Sequence, residues 1–146
     1  MGRSGLLGLM MAVTAIATVA IAVILVATSS SETTIVDLLP GTCFDLDADG
    51  DEGELDAVDT TSCDEPHEAE AVAVGDLNPD GGRPYPDDDE LFATIEERCA
   101  GALDDDRFGL VPVAPTRATW ESQRGRYVCV AIPFGGGTTV GSITAG

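Results

Sequence analysis

Apolar residues fall into three patterns along this chain, and each predicts a different kind of element. From Leu6 to Ala27 a run of 22 residues contains no charge, Pro, Asn or Gln. At about 1.5 Å per residue a helix of that length reaches roughly 33 Å, enough to cross a hydrocarbon core of about 30 Å, so residues 1–28 are expected to form a transmembrane signal anchor. Arg3 is the only charge before the run, and Glu32 and Asp37 are the first after it. That asymmetry predicts a single-pass protein of the cell membrane, N-terminus cytoplasmic and C-terminal domain extracytoplasmic. The alternative is secretion after cleavage near Ala27-Thr28-Ser29. A cleavable signal has a shorter apolar core, about 7–15 residues, and a fuller charged start.

Beyond a Ser/Thr-rich spacer at 29–35, short runs of β-branched and apolar residues are punctuated by turn formers. Thr42–Leu46 and Leu55–Cys63 read as a hairpin entered through Pro40-Gly41, and Glu68–Leu77 reads as a third strand that Asn78-Pro79-Asp80-Gly81-Gly82 terminates. Helical period appears once: Leu91, Ile95, Cys99 and Leu103 recur every four residues after an Asp87/Glu90 capping box. Asp104–Asp106 end this helix and oppose its dipole. Leu110–Val113 is expected at a sheet edge because Pro112 lies within it and Pro115 follows it. A helical turn around Trp120, a strong strand at Tyr127–Phe134 and a last short strand at Thr139–Ile143 complete the pattern. Strands, one main helix, then strands without βαβ regularity predict an α+β fold: a mostly antiparallel sheet with the helix on one face.

Composition narrows the setting. All 26 Asp and Glu lie after the apolar run, against 7 Arg in the whole chain and no Lys, for a net charge of -19. Such a surface repels nucleic acid and anionic headgroups, leaving a cation, a basic protein or solvent as its counterpart. Cys43, Cys63, Cys99 and Cys129 are even in number and contain no C-x-x-C, which in an oxidising compartment predicts two disulfides rather than a redox or zinc centre. Four cysteines allow three pairings. The favoured one is Cys43–Cys63 with Cys99–Cys129, each loop adding about 3 kcal/mol in the chain-entropy model.

Two groups of residues have the composition of a chemical site. Asp45, Asp47, Asp49, Asp51 and Asp56 stand at ligand positions of a twelve-residue calcium loop with Gly50 at its sharp turn. Glu52 replaces the apolar anchor, Asp56 is short for a bidentate ligand, and a strand rather than a helix leads in. A solvated hairpin loop binding Ca2+ weakly or not at all is the expectation, with no other cofactor. His67, the only histidine, sits among carboxylates in Cys63-Asp64-Glu65-Pro66-His67-Glu68-Ala69-Glu70. Without a second His or a nucleophile elbow, it is expected to be structural rather than a general base. Trp120 and Tyr127 are expected in the core.

The ordered set Leu39-Pro40-Gly41-Thr42-Cys43-Phe44, Cys63-x-x-Pro66-His67-x-x-Glu70, Tyr85-Pro86, Glu97-Arg98-Cys99, Pro115-Thr116, Trp120, Gly125-Arg126 and Cys129 resembles the bacterial septum-formation family across residues 36–146. That resemblance implies a membrane-anchored extracytoplasmic domain connected with cell division and without established catalytic activity. A non-enzymatic interaction module, binding another envelope protein or a cell-wall component, is therefore the leading expectation. A calcium-stabilised surface module is the alternative, and a hydrolase using His67 and Glu70 a third.

Overall fold

The strand Arg126–Pro133 carries a period-two alternation that divides the interior of the domain in two. Tyr127, Cys129 and Ala131 belong to one apolar cluster, Val128 and Val130 to another, so the two faces of this strand are both buried. The computed structural model describes residues 32–46 and 57–144. Among these the strands are β1 (Glu32–Thr34), β2 (Thr42–Asp45), β3 (Ala57–Thr61), β4 (Ala69–Asp76), β5 (Phe108–Val113) and β6 (Arg126–Pro133). They form one antiparallel sheet in the order β1-β3-β2-β4-β6-β5.

Helix α1 (Asp88–Cys99) starts where Asp87, in an extended conformation, accepts the Glu90 N–H at 2.9 Å. Its buried Leu91, Ile95 and Cys99 face the cluster that holds Cys129, and the Cys99–Cys129 disulfide joins helix to sheet across a Cα separation of 5.5 Å. The other face of the sheet is covered by a 3-10 turn, Ile35–Asp37, and by Leu38. Arg126 secures that crossing, donating from Nε to the Val36 carbonyl at 2.6 Å and from Nη2 to the Leu38 carbonyl at 3.0 Å. A register shift between Ala71 and Ala73 puts both Val72 and Ala73 in the helix-side cluster, while Ala69 and Ala71 remain in the other.

The α+β architecture, the single main helix and the two disulfides agree with the sequence expectation, and several boundaries differ from it. Residues 32–34 of the expected spacer form β1, which pairs with β3 from Glu32 opposite Asp59 to Thr34 opposite Ala57. Helix α1 ends at Cys99 rather than continuing to Leu103: Ala102 N–H turns back to the Cys99 carbonyl at 2.8 Å, and Leu103 reaches the core from the following loop. The expected strand Thr139–Ile143 is reduced to a bridge between Thr139 and His67, because the backbone beyond it turns toward the carboxylate of Glu70. Leu6–Ala27 lies outside the described residues, and among those described no helix is long and apolar enough to cross a membrane.

Candidate functional site

The segment Cys63 to Glu70 links the end of β3 to the start of β4 and folds back over the Cys43–Cys63 disulfide. Cys43 opposes Glu70 across the β2–β4 pairing, and the disulfide spans a Cα separation of 5.3 Å. His67 and Glu70 are both fully buried, whereas Pro66 between them and Cys63 is exposed. His67 pairs with Thr139 through two backbone hydrogen bonds, at 2.9 and 2.8 Å. Its Nδ1 lies 2.9 Å from the Glu65 carbonyl oxygen, which can only accept, so Nδ1 is the donor of this bond and Nε2 is the ring nitrogen left over. Among the described residues that buried Nε2 has no partner.

Glu70 is the most heavily bonded side chain of this region. Oε1 accepts from the Ser142 hydroxyl at 3.0 Å and from the Thr144 hydroxyl and N–H at 2.7 and 3.2 Å, and Oε2 accepts from the Ile143 N–H. Burial pushes the Glu70 carboxyl up, but the bonds from Thr144, Ile143 and Ser142 together outweigh it and hold the group below its ordinary 4.5. The carboxylate is thus ionised and its lone pairs are directed at the chain's own tail. Cys43 Sγ lies 3.6 Å from Oε2, and ligating atoms of Cys43, Cys63 and Glu70 fall within 4.8 Å of one another. With the two sulfurs bonded together there is no thiolate, and one carboxylate does not make a metal centre. The role of Ser142–Thr144 was invisible in the sequence pattern, since nothing in a Gly/Ser/Thr tail marks it as a carboxylate cradle.

The acidic loop is represented by its first member. Asp45, at the end of β2, accepts the Glu68 N–H at 3.2 Å while the Glu68 carboxylate accepts the Leu46 N–H at 2.9 Å, a reciprocal latch between β2 and the approach to β4. Asp47, Asp49, Asp51 and Asp56 lie outside the described residues.

Trp120 lies in the short helix α2 (Thr119–Ser122), buried as expected, and organises a second polar cluster. Its Nε1 donates to the Arg83 carbonyl at 2.7 Å, and the buried Asn78 side chain accepts the Arg83 N–H at 3.0 Å. Tyr85 meets the indole at 78° with centroids 5.4 Å apart, and its hydroxyl donates to the Pro115 carbonyl at 3.2 Å. Gly125, at φ +64°, passes so close that a Cβ there would lie 2.8 Å from the indole ring. The outcome is a rigid turn at 77–86 that, with α1, bounds an open cleft of about 320 Å³. Asn78 and Arg83 belong to this site although the sequence marks that stretch only as a strand breaker.

No curated protein and no solved structure matches the chain. A family model described as Septum formation matches residues 25–105, from the end of the apolar run through β1–β4 and α1. With more than half of its residues so matched, the chain belongs to the septum formation family.

Proposed function

We propose that this chain is a non-enzymatic envelope protein, anchored by residues 1–28, whose disulfide-stapled domain serves outside the cytoplasm as an interaction module in cell division. Membership of the septum formation family is the observation that carries the division role. The extracytoplasmic address is supported by the sequence order, an apolar run of spanning length followed by a domain whose four cysteines are all paired. A non-enzymatic role is supported by the buried pair in the Cys63–Glu70 segment. The Glu70 oxygens are engaged by the tail, and a general base needs a lone pair in reach of a substrate.

Cross-linking in living cells, through photoreactive probes at exposed positions such as Phe92 and Phe134, tests this reading. Capture of one defined envelope protein or wall fragment, with the tagged chain enriched at the division site, is the expected result. Even distribution around the cell with no specific capture would overturn it. Protease added to intact protoplasts is expected to digest the domain while carbonate washing leaves a membrane-bound stub, and a mature N-terminus near Ser30 would replace the anchor with a cleaved signal.

A further inference from the structure

Arginine is scarce in this chain and acid abundant, so an arginine that meets no carboxylate is conspicuous. Six of the 7 arginines lie in the described domain. Arg107 pairs with Asp105 and Arg124 with Asp76, while Arg126 directs its donors to two backbone carbonyls. The remaining three, Arg83, Arg98 and Arg117, form no ion pair among the described residues. All three belong to one neighbourhood. Arg83 and Arg98 line the cleft beside Trp120, and Arg117 lies 4.3 Å above the ring of Tyr85, which packs on that indole.

The cleft has the remaining attributes of a small binding site. Its volume of about 320 Å³ is at the lower end of the range for small-ligand pockets. Leu77, Leu91, Pro84 and Pro86 supply apolar walls, and Glu90 and Thr94 add an acceptor and a hydroxyl from α1. The rim is held before any ligand arrives, since the Arg83 backbone is bonded on one side by Asn78 and on the other by Trp120. Two guanidiniums match a carboxylate, whose planar oxygens take bidentate bonds, and an acceptor beside them matches an amide N–H that phosphate or acetate lacks.

We propose that this cleft receives the free C-terminal carboxylate of a short peptide, with Arg83 and Arg98 binding the anion and the Trp120 wall holding the terminal side chain. The proposal rests on the reading of the domain as an interaction module and gives that module its binding site. A ribosomally made chain end and a cell-wall peptide share this chemistry and differ in handedness, L in the first and D at the terminus of the second.

Trp120 is the chain's only tryptophan, so its fluorescence reports the cleft directly. The full chain in nonionic micelles is titrated with acetyl-L-alanyl-L-alanine and acetyl-D-alanyl-D-alanine, each as the acid and as the C-terminal amide. At least one acid is expected to give a saturable change, with its amide about tenfold weaker or worse. Whichever acid is preferred identifies the source of the ligand. Arg98→Gln should weaken binding about tenfold, with Arg107→Gln, away from the cleft, unchanged. Equal binding of acid and amide, an equal response to sodium acetate, no response to either acid, or an Arg98→Gln chain that binds as the parent does would each overturn the proposal. Because acid and amide are compared on the unaltered chain, the outcome does not depend on a variant folding. In-cell capture of an envelope partner that persists when the titration fails would leave the proposed function standing and remove only this site, and peptide binding without enrichment at the division site would do the reverse.

Discussion

Glu70 holds the tail of the domain to its sheet by charge, and the chemistry of that one carboxylate sets a test. Glutamine has nearly the same shape but must place an amide nitrogen where one oxygen was. If it replaces Oε2 it confronts the Ile143 N–H, and if it replaces Oε1 it confronts the Thr144 N–H, donor against donor in either case. Glu70→Gln is therefore expected to lower stability by about 2–3 kcal/mol in urea unfolding. The pH dependence follows from the sign of the shift. The folded-state pKa is depressed below 4.5, so the stabilisation is complete above that value and is lost as pH falls through the folded one. The gap in stability between the parent and Glu70→Gln should thus be constant near neutrality and close as the solution is acidified below about pH 4.5. A gap unchanged down to pH 3 would mean the carboxylate's charge contributes nothing. His67 next to it plays a different part: its backbone ties the Cys63–Glu70 turn to Thr139, its Nδ1 closes the turn on the Glu65 carbonyl, and its buried Nε2 has no partner among the described residues.

Among the elements, α1 shows most clearly which features a sequence displays. Its Asp87 N-cap, its i, i+4 face and its inward cysteine were all readable because they depend on residues within one helical turn of each other. Removing the cap by Asp87→Ala should cost about 1 kcal/mol and show as a lower melting temperature with the sheet's contacts unchanged. An Asp87→Ala chain as stable as the parent would mean that the Cys99–Cys129 bridge alone holds the helix. The β2–β3 hairpin, the edge position of β5 and the disulfide pairing were legible for the same local reasons, turn formers and a Pro in a strand. Long-range effects were not. Residues 32–34 read as a tether because three polar residues carry no period, yet β3 offers them an edge to pair with. Thr139–Ile143 reads as a strand because Val140 and Ile143 are β-branched, yet Glu70, more than seventy positions earlier in the chain, takes the Ile143 N–H that a ladder would need, together with that of Thr144 just beyond. The Trp120 site was half visible: the aromatic announced a core position, but Arg83 enters it through a backbone N–H and carbonyl that carry no sequence signal, and the Asn78 side chain that accepts that N–H stands in a stretch that reads only as a strand breaker.

Over the whole molecule the dominant fact is a net charge of -19 on 146 residues. Folding concentrates those charges, and self-repulsion opposes the compact state wherever no cation intervenes. The domain's own cations do little to relieve it, since Arg126 is turned to the backbone and Arg83, Arg98 and Arg117 form no ion pair among the described residues. Asp105 is an exception on the surface, held down to about 2 first of all by its hydrogen bond with Arg107. Added salt should consequently act against repulsion far more than against attraction. Screening shortens from about 30 Å at 0.01 M to about 8 Å at 0.15 M, which removes most of the long-range repulsion while leaving the buried Glu70 bonds and the disulfides untouched. The melting temperature at neutral pH is expected to rise over that interval of sodium chloride and to level off above it. A fall in the same range would show that the few arginine contacts outweigh the acid excess. A rise seen with calcium at millimolar concentrations but not with an equal ionic strength of sodium would instead assign the effect to specific binding by carboxylates such as those of the 45–56 loop.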